Sequence, residues 1–153
     1  MIKIIDYEDQ YAADFKRLNL EWLDKYHLTE SHDLMVLDDP MGTIINRGGC
    51  IFLAKEGDGI VGSAALMKEH DGVYELAKMA VDPACRGRGI SRLLIEQCLH
   101  KAAEWKATKL LLFSNHQLTT AIGLYEKYGF RHVAVEDSPF VTADVKMEKI
   151  LVR

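Results

Sequence analysis

Apolar and polar positions change period several times along the chain, and those changes mark out its elements. Residues 2–5 read as a short strand. Across residues 7–27 the apolar positions Phe15, Leu18, Trp22 and Leu23 recur at helical spacing, with Asp6 as a candidate cap. A second helical piece covers residues 30–37 and ends at Asp38-Asp39-Pro40. Gly48-Gly49 turns the chain into a β-rich run over 50–55; 56–59 read as a hairpin turn, 60–69 as the returning strand and 73–81 as the next. Pro83 cannot continue that strand centrally. Ile90, Leu94, Cys98 and Ala102 then recur every four residues, which predicts a helix over 89–105. The wholly apolar 110–113 predicts a strand covered on both faces. Residues 117–128 read as a helix closed by Gly129. Residues 130–135 and 141–150 read as a final antiparallel pair, joined by a turn at 136–139.

The order β-α-α-β-β-β-α-β-α-β-β predicts an α+β (α/β) fold. Hairpin-linked strands lead into one β-α-β unit, so the sheet is mixed: antiparallel at first and parallel at the crossover around 90–105. At 153 residues the chain is expected to form a single domain spanning 1–153, large enough to bury a core without staples.

Composition narrows the function classes modestly. The chain is 48% hydrophobic and 27% charged, with a net charge of −4. That acidity argues against a nucleic-acid partner and weakly favours a cationic small substrate. Cys50, Cys85 and Cys98 form neither a disulfide framework nor a zinc pattern, and no metal is expected. Cys98 falls on an apolar helix stripe; Cys85 reads as loop filler, since no partner histidine is identifiable for a reactive thiol. Free thiols suit a reducing cytoplasm. The first residues lack a signal-peptide pattern, and no apolar run approaches the ~18 residues that span a bilayer, so a cytoplasmic protein without membrane contact is expected.

The densest chemical signal is Glu75 to Ser91: a strand, a proline-stopped turn, and a glycine-bearing loop opening into a helix. Freed backbone N–H groups and the helix dipole there favour an anion such as a phosphate. Gly87, Gly89 and Ser91 let a ligand approach the backbone, while Arg86 and Arg88 add positive charge. Taken alone, the hexapeptide also fits a simple tight turn into a helix. It is not a P-loop, which needs Gly-Lys-Ser/Thr, nor a dinucleotide fingerprint, because position 92 is arginine.

Arg86-Gly87-Arg88-Gly89-Ile90-Ser91 resembles the Gln/Arg-x-x-Gly-x-Gly/Ala signature of the GNAT superfamily of acyl-CoA-dependent N-acetyltransferases. Residues 76–81 resemble that family's fourth strand, and Ala121 to Phe130 resembles its A-I-x-L-Y-E-K-x-G-F segment. The resemblance covers the whole chain as an order of elements, and 73–133 as recognisable sequence. It implies a central sheet of about seven strands with flanking helices, and acetyl-CoA as co-substrate. The pyrophosphate would lie on the N–H groups of Arg86, Gly87, Arg88, Gly89, Ile90 and Ser91. The pantetheine arm would run along Met79, Ala80 and Val81, where strands 76–81 and 110–114 splay apart. Ser91 departs from the usual Gly or Ala but stays small. Leu118 stands where many members carry a cofactor-touching asparagine; Asn115 either takes that role or caps the helix.

The resemblance also implies a chemistry. Tyr125 matches the tyrosine that protonates the departing thiolate, with a core-packing tyrosine as the alternative. Glu75 resembles the water-mediated general base of some members, and apolar neighbours would raise its pKa; the alternative is a solvated strand-end carboxylate. Glu69, His70 and His116 are weaker candidates. The acceptor, a primary amine on a small molecule or peptide, would sit between the first helices and the last hairpin. Glu30 and Asp33, with Asp38, Asp39, His27 and His32 nearby, would suit a cationic amine or form a solvated acidic face. Trp22 and Trp105 read as packing residues. Dimers are common in the family, so a homodimer is compatible. The alternative to an enzyme is a non-catalytic acyl-CoA-binding or regulatory module of the same fold.

Overall fold

The computed structural model describes residues 1–151. Seven strands form one sheet in the order β1-β2-β3-β4-β5-β7-β6: β1 (Ile2–Asp6), β2 (Cys50–Glu56), β3 (Gly59–His70), β4 (Val73–Val81), β5 (Lys109–Ser114), β6 (Arg131–Val133) and β7 (Val145–Ile150). The helices are α1 (Ala12–Lys25), α2 (Ser31–Asp38), the single turn α3 (Pro40–Thr43), α4 (Ile90–Glu104) and α5 (Thr119–Lys127). Every bridged pair is antiparallel except β4 with β5. This is the expected α+β mixed sheet.

Period-2 alternation divides the core between two faces. Phe52 and Ala54 of β2, with Tyr74 and Leu76 of β4, pack on the face covered by α4, where Ile90, Leu94, Ile95, Cys98 and Ala102 are buried. Ile51 and Leu53 point to the other face, under Phe15 and Leu18 of α1 and Val36 and Leu37 of α2. Cys98 is core, as its stripe predicts.

Some sequence expectations need correction. Asp6 ends β1 and pairs with Phe52 instead of capping a helix; the chain makes a 3-10 turn at Asp9–Tyr11 before α1 begins. The short turn α3 adds an element that the apolar pattern does not predict; Pro40 sits at its start and Asp39 accepts the Gly42 N–H. The closing pair is shorter than its apolar pattern suggests. β6 ends at Val133 and β7 starts at Val145, and the 11 residues between them are irregular. A proline and side-chain bonds within this stretch, such as Ser138 Oγ accepting the Phe140 N–H, compete with ladder pairing.

The site is positioned where the ladder fails. β4 and β5 bridge only from Val73↔Lys109 to Glu75↔Leu111, and beyond Glu75 they part. β4 also bulges against β3: Ser63 pairs with Ala80 but Ala65 with Ala77. Lys78 occupies the extra position at φ 53°, a left-handed conformation rare for a long side chain. A buried polar chain pins the bulge. Asn19 Nδ2 donates to Ser63 Oγ at 3.1 Å, and the Ser63 hydroxyl donates to the Lys78 carbonyl at 2.7 Å.

Candidate active site

Two cavities open where β4 and β5 separate. The larger, 540 Å³, is a groove running from the loop before α4 to α5. Arg86, Gly87, Gly89, Ile90 and Ser91 line one end, and Met79, Ala80 and Val81 line the strand side. Gly87 and Gly89 both take φ 78°, and a Cβ at either would meet open space, so their backbones face the groove uncovered. The N–H groups of Gly89, Ile90 and Ser91, at the start of α4, find no backbone acceptor among the described residues. This is a cradle of free donors at a helix N-terminus. Arg86 lies over the Trp22 ring at 4.9 Å, bridging the loop to α1.

Arg88 departs from its expected place. Its guanidinium forks onto Glu56 at the end of β2, with Nη1 to Oε1 at 2.9 Å and a second bond from Nη2 to Oε2, and it is not on the groove wall. A bidentate carboxylate partner fixes it there. Arg92, one turn into α4, lines the groove instead. A basic residue in the first turn of a helix that opens from such a loop is a signal the sequence carries.

The second cavity, 110 Å³, lies under α1 and α2 and against the irregular segment before β7. Asp33, Glu75, Lys78, Asn115, Phe113 and Phe140 are on its wall. Trp22, Met79, Ala121 and Tyr125 line both cavities, so the groove and the inner cavity meet there. Trp22 is therefore more than a packing residue; a tryptophan on a helical stripe gives no sequence signal that one edge faces a cleft.

Tyr125 is 9% exposed, and its ring packs edge-on against Phe130. Burial, then the nearby Cys98 thiol, pushes the phenol up to about 12, so it keeps its proton throughout the physiological range. Glu75 is 4% exposed. Burial first, then the charge of Glu69, raise its carboxyl to about 8; Lys78 opposes the rise, while a hydrogen bond to Glu69 adds to it.

Glu30 and Asp33 have different surroundings. The two oxygens of Glu30 accept the N–H groups of Val141 (2.9 Å) and Thr142 (2.8 Å) and the Thr142 hydroxyl (2.5 Å). Burial would raise its carboxyl, but these bonds together outweigh that and hold it below its ordinary value. Glu30 thus clamps the segment that walls the inner cavity. Asp33 is buried in an ion pair with Lys78, Nζ to Oδ1 at 2.5 Å, with side chains 5% and 2% exposed for Lys78 and Asp33. Asn115 is buried too. Its Oδ1 accepts the Gln117 N–H and its Nδ2 donates to the Thr142 carbonyl, so both ends of its amide are engaged within the chain. It lies on the inner cavity, not in the groove. Cys85 lines the groove beside Arg86.

Among the described residues no group of three or more His, Cys, Asp or Glu side chains could hold a metal ion, and no helix is long and apolar enough to cross a membrane.

Comparison with known proteins gives a consistent picture. Residues 47–132 match the family model described as Acetyltransferase (GNAT) domain. The chain is 30% identical over 132 residues to the uncharacterized N-acetyltransferase YjgM of Escherichia coli (strain K12), covering 80% of this chain and 79% of that one. It is 34% identical over 91 residues to the N-acetylaspartate synthetase of Homo sapiens, covering 59% of this chain but only 30% of that protein. An acetyltransferase of the GNAT family from Staphylococcus aureus Mu50 superposes with a TM-score of 0.91 at 22% identity, over 99% of this chain and all of that one. The paia N-acetyltransferase of Thermoplasma acidophilum, solved in complex with coenzyme A, superposes with a TM-score of 0.79 at 15% identity over 99% of both chains.

Proposed function

The chain belongs to the GNAT acetyltransferase family, and we propose that it moves an acetyl group from acetyl-CoA to a primary amine by direct attack. As an acyltransferase it needs a site for an acyl-CoA and a separate approach for the acceptor. One observation carries the reading: two cavities of different character meet at Met79, Ala121 and Tyr125, where β4 and β5 part.

In this reading the pyrophosphate lies on the N–H groups of 87–91, with Arg86 and Arg92 supplying charge. The pantetheine arm follows Met79–Val81, pairing with backbone groups that β5 leaves unmatched. The thioester then reaches the junction, with the amine arriving from the inner cavity. Glu75 as carboxylate takes a proton from the ammonium, directly or through water, leaving a lone pair that attacks the thioester carbon. The C–N bond forms and the C–S bond breaks. The departing sulfur takes the Tyr125 proton, and the phenolate recovers one from the acylated nitrogen. A carboxyl near pKa 8 suits the first transfer at neutral pH, and a phenol near 12 is a standing donor for the second.

The test is release of free thiol from acetyl-CoA with a mixed pool of amines, amino acids and peptides, with products identified by mass spectrometry. The Tyr125→Phe variant should lose roughly tenfold or more in kcat while still binding CoA, given the ~10²-fold worth of a general acid. An unchanged kcat would remove Tyr125 from the mechanism. Binding of CoA without amine-dependent thiol release would favour the non-catalytic alternative.

A further inference from the structure

The inner cavity contains an imbalance between its buried charges. Asp33 is fully engaged: Oδ1 accepts from Lys78 and Oδ2 accepts the Glu30 N–H at 2.9 Å. Lys78 is not. An ammonium carries three N–H donors. One reaches Asp33, the Phe140 ring lies 5.3 Å away, and the described residues offer the Nζ no further acceptor. The side chain is 95% buried and on the cavity wall, so its remaining donors are met only by what enters the cavity. The strained bulge conformation at Lys78, held by the Asn19–Ser63 chain, puts this residue where β4 turns its wall to the cavity.

The unfilled capacity in this cavity is therefore for an anion, contrary to what the acidic residues of α2 suggest. Glu75 is on the same wall, three residues earlier on β4, within range of the Lys78 charge. When ionised it is the natural partner for a cation. The cavity is small, at 110 Å³, with Phe113 and Phe140 limiting bulk.

Resting on the acetyltransferase reading of the site, we propose that the acceptor is a short zwitterionic amine with a carboxylate a few bonds from its amino group. The carboxylate completes the donor set of Lys78, while the ammonium faces Glu75, which deprotonates it for attack at the junction with the groove. Asp33 neutralises Lys78 in the absence of the acceptor and holds it in position; it does not bind the amine.

The test is a matched panel: amino acids offered as free acids, as primary amides and as decarboxylated amines, each with acetyl-CoA, read by thiol release. The free acids should show kcat/KM about tenfold or more above their amides and amines, as expected for a hydrogen-bonded charge pair. In the double variant D33N/K78M that preference should collapse. Both partners are replaced together because removing one would strand the other as a buried charge. The wild-type panel stands on its own if that variant does not fold. Amides or plain amines used as well as the free acids, or a preference that persists in the folded double variant, would overturn the inference and leave the transferase reading intact. A CoA-dependent rise in melting temperature with no thiol release for any amine would overturn the transferase reading, and the inference with it.

Discussion

Replacing Glu75 by glutamine separates the cost of burying this carboxyl from its use. Burial and Glu69 raise it from 4.5 to about 8. Between those values the folded protein holds a proton that the unfolded chain has lost, so stability falls as pH rises through the interval. At ~1.36 kcal/mol per pH decade the full interval corresponds to about 5 kcal/mol, complete above pH 8 and absent below 4.5. For a domain of this size each kcal/mol moves Tm by roughly 2–4 °C. Glutamine keeps the volume and does not titrate. Thermal melts from pH 5 to 9 should show the wild type losing on the order of 10 °C more than Glu75→Gln. In the same variant kcat/KM should fall by about 10²-fold or more, and the rising limb near pH 8 should vanish when the acceptor amine titrates well away from 8. Parallel melting curves for the two proteins would refute the account of Glu75 as a buried, high-pKa carboxyl. A retained limb with unchanged rate would remove it as the base.

The remaining predictions concern the walls of the two cavities. Gly123 sits in the middle of α5 on the groove, and a Cβ there meets nothing. Gly123→Ala should therefore gain about 0.5–1 kcal/mol from helix propensity with little effect on KM, while Gly123→Leu should raise KM for acetyl-CoA by filling the groove. Unaltered KM in the leucine variant would place the pantetheine elsewhere. Arg86→Ala should weaken CoA binding in a salt-dependent way, whereas Arg88→Ala, which removes a partner of Glu56, should not; calorimetric titration distinguishes them. Equal losses would mean that Arg88 leaves Glu56 for the ligand. Glu30→Ala removes the acceptor of three hydrogen bonds that hold Val141 and Thr142. It should cost about 1.5–3 kcal/mol and speed amide exchange across the segment before β7; unchanged exchange there would contradict the clamp.

The fold was legible because its signals are local and repeated. The four-residue stripe of α4, the hairpin turns and Pro83 each state their element in a few residues. The loop of the groove was legible for the same reason, as a contiguous run of small and basic residues. What escaped is non-local. Arg86 and Arg88 are two residues apart in one motif, yet Glu56, 32 residues before Arg88, draws the latter away from the groove. Glu30 and Asp33 share one helical turn, but partners at Thr142 and Lys78 give one the work of a clamp and make the other a counter-ion. Lys78 carried no sequence signal, because its bulge arises from register between β3 and β4 and its burial from elements far along the chain. The apolar residues at either end of 134–144 predict strand there, but Val141 is 95% exposed and its backbone is held by Glu30 rather than by a ladder.

In the proposed function the acyl-CoA groove and the acceptor cavity meet at Tyr125, and a crystal structure with coenzyme A would show whether they do. The pyrophosphate should lie on the N–H groups of residues 87–91 and the thiol sulfur within about 3.5–4 Å of the Tyr125 hydroxyl, at the mouth of the inner cavity. A sulfur that ends away from Tyr125, or a pyrophosphate that bypasses the loop, would contradict it.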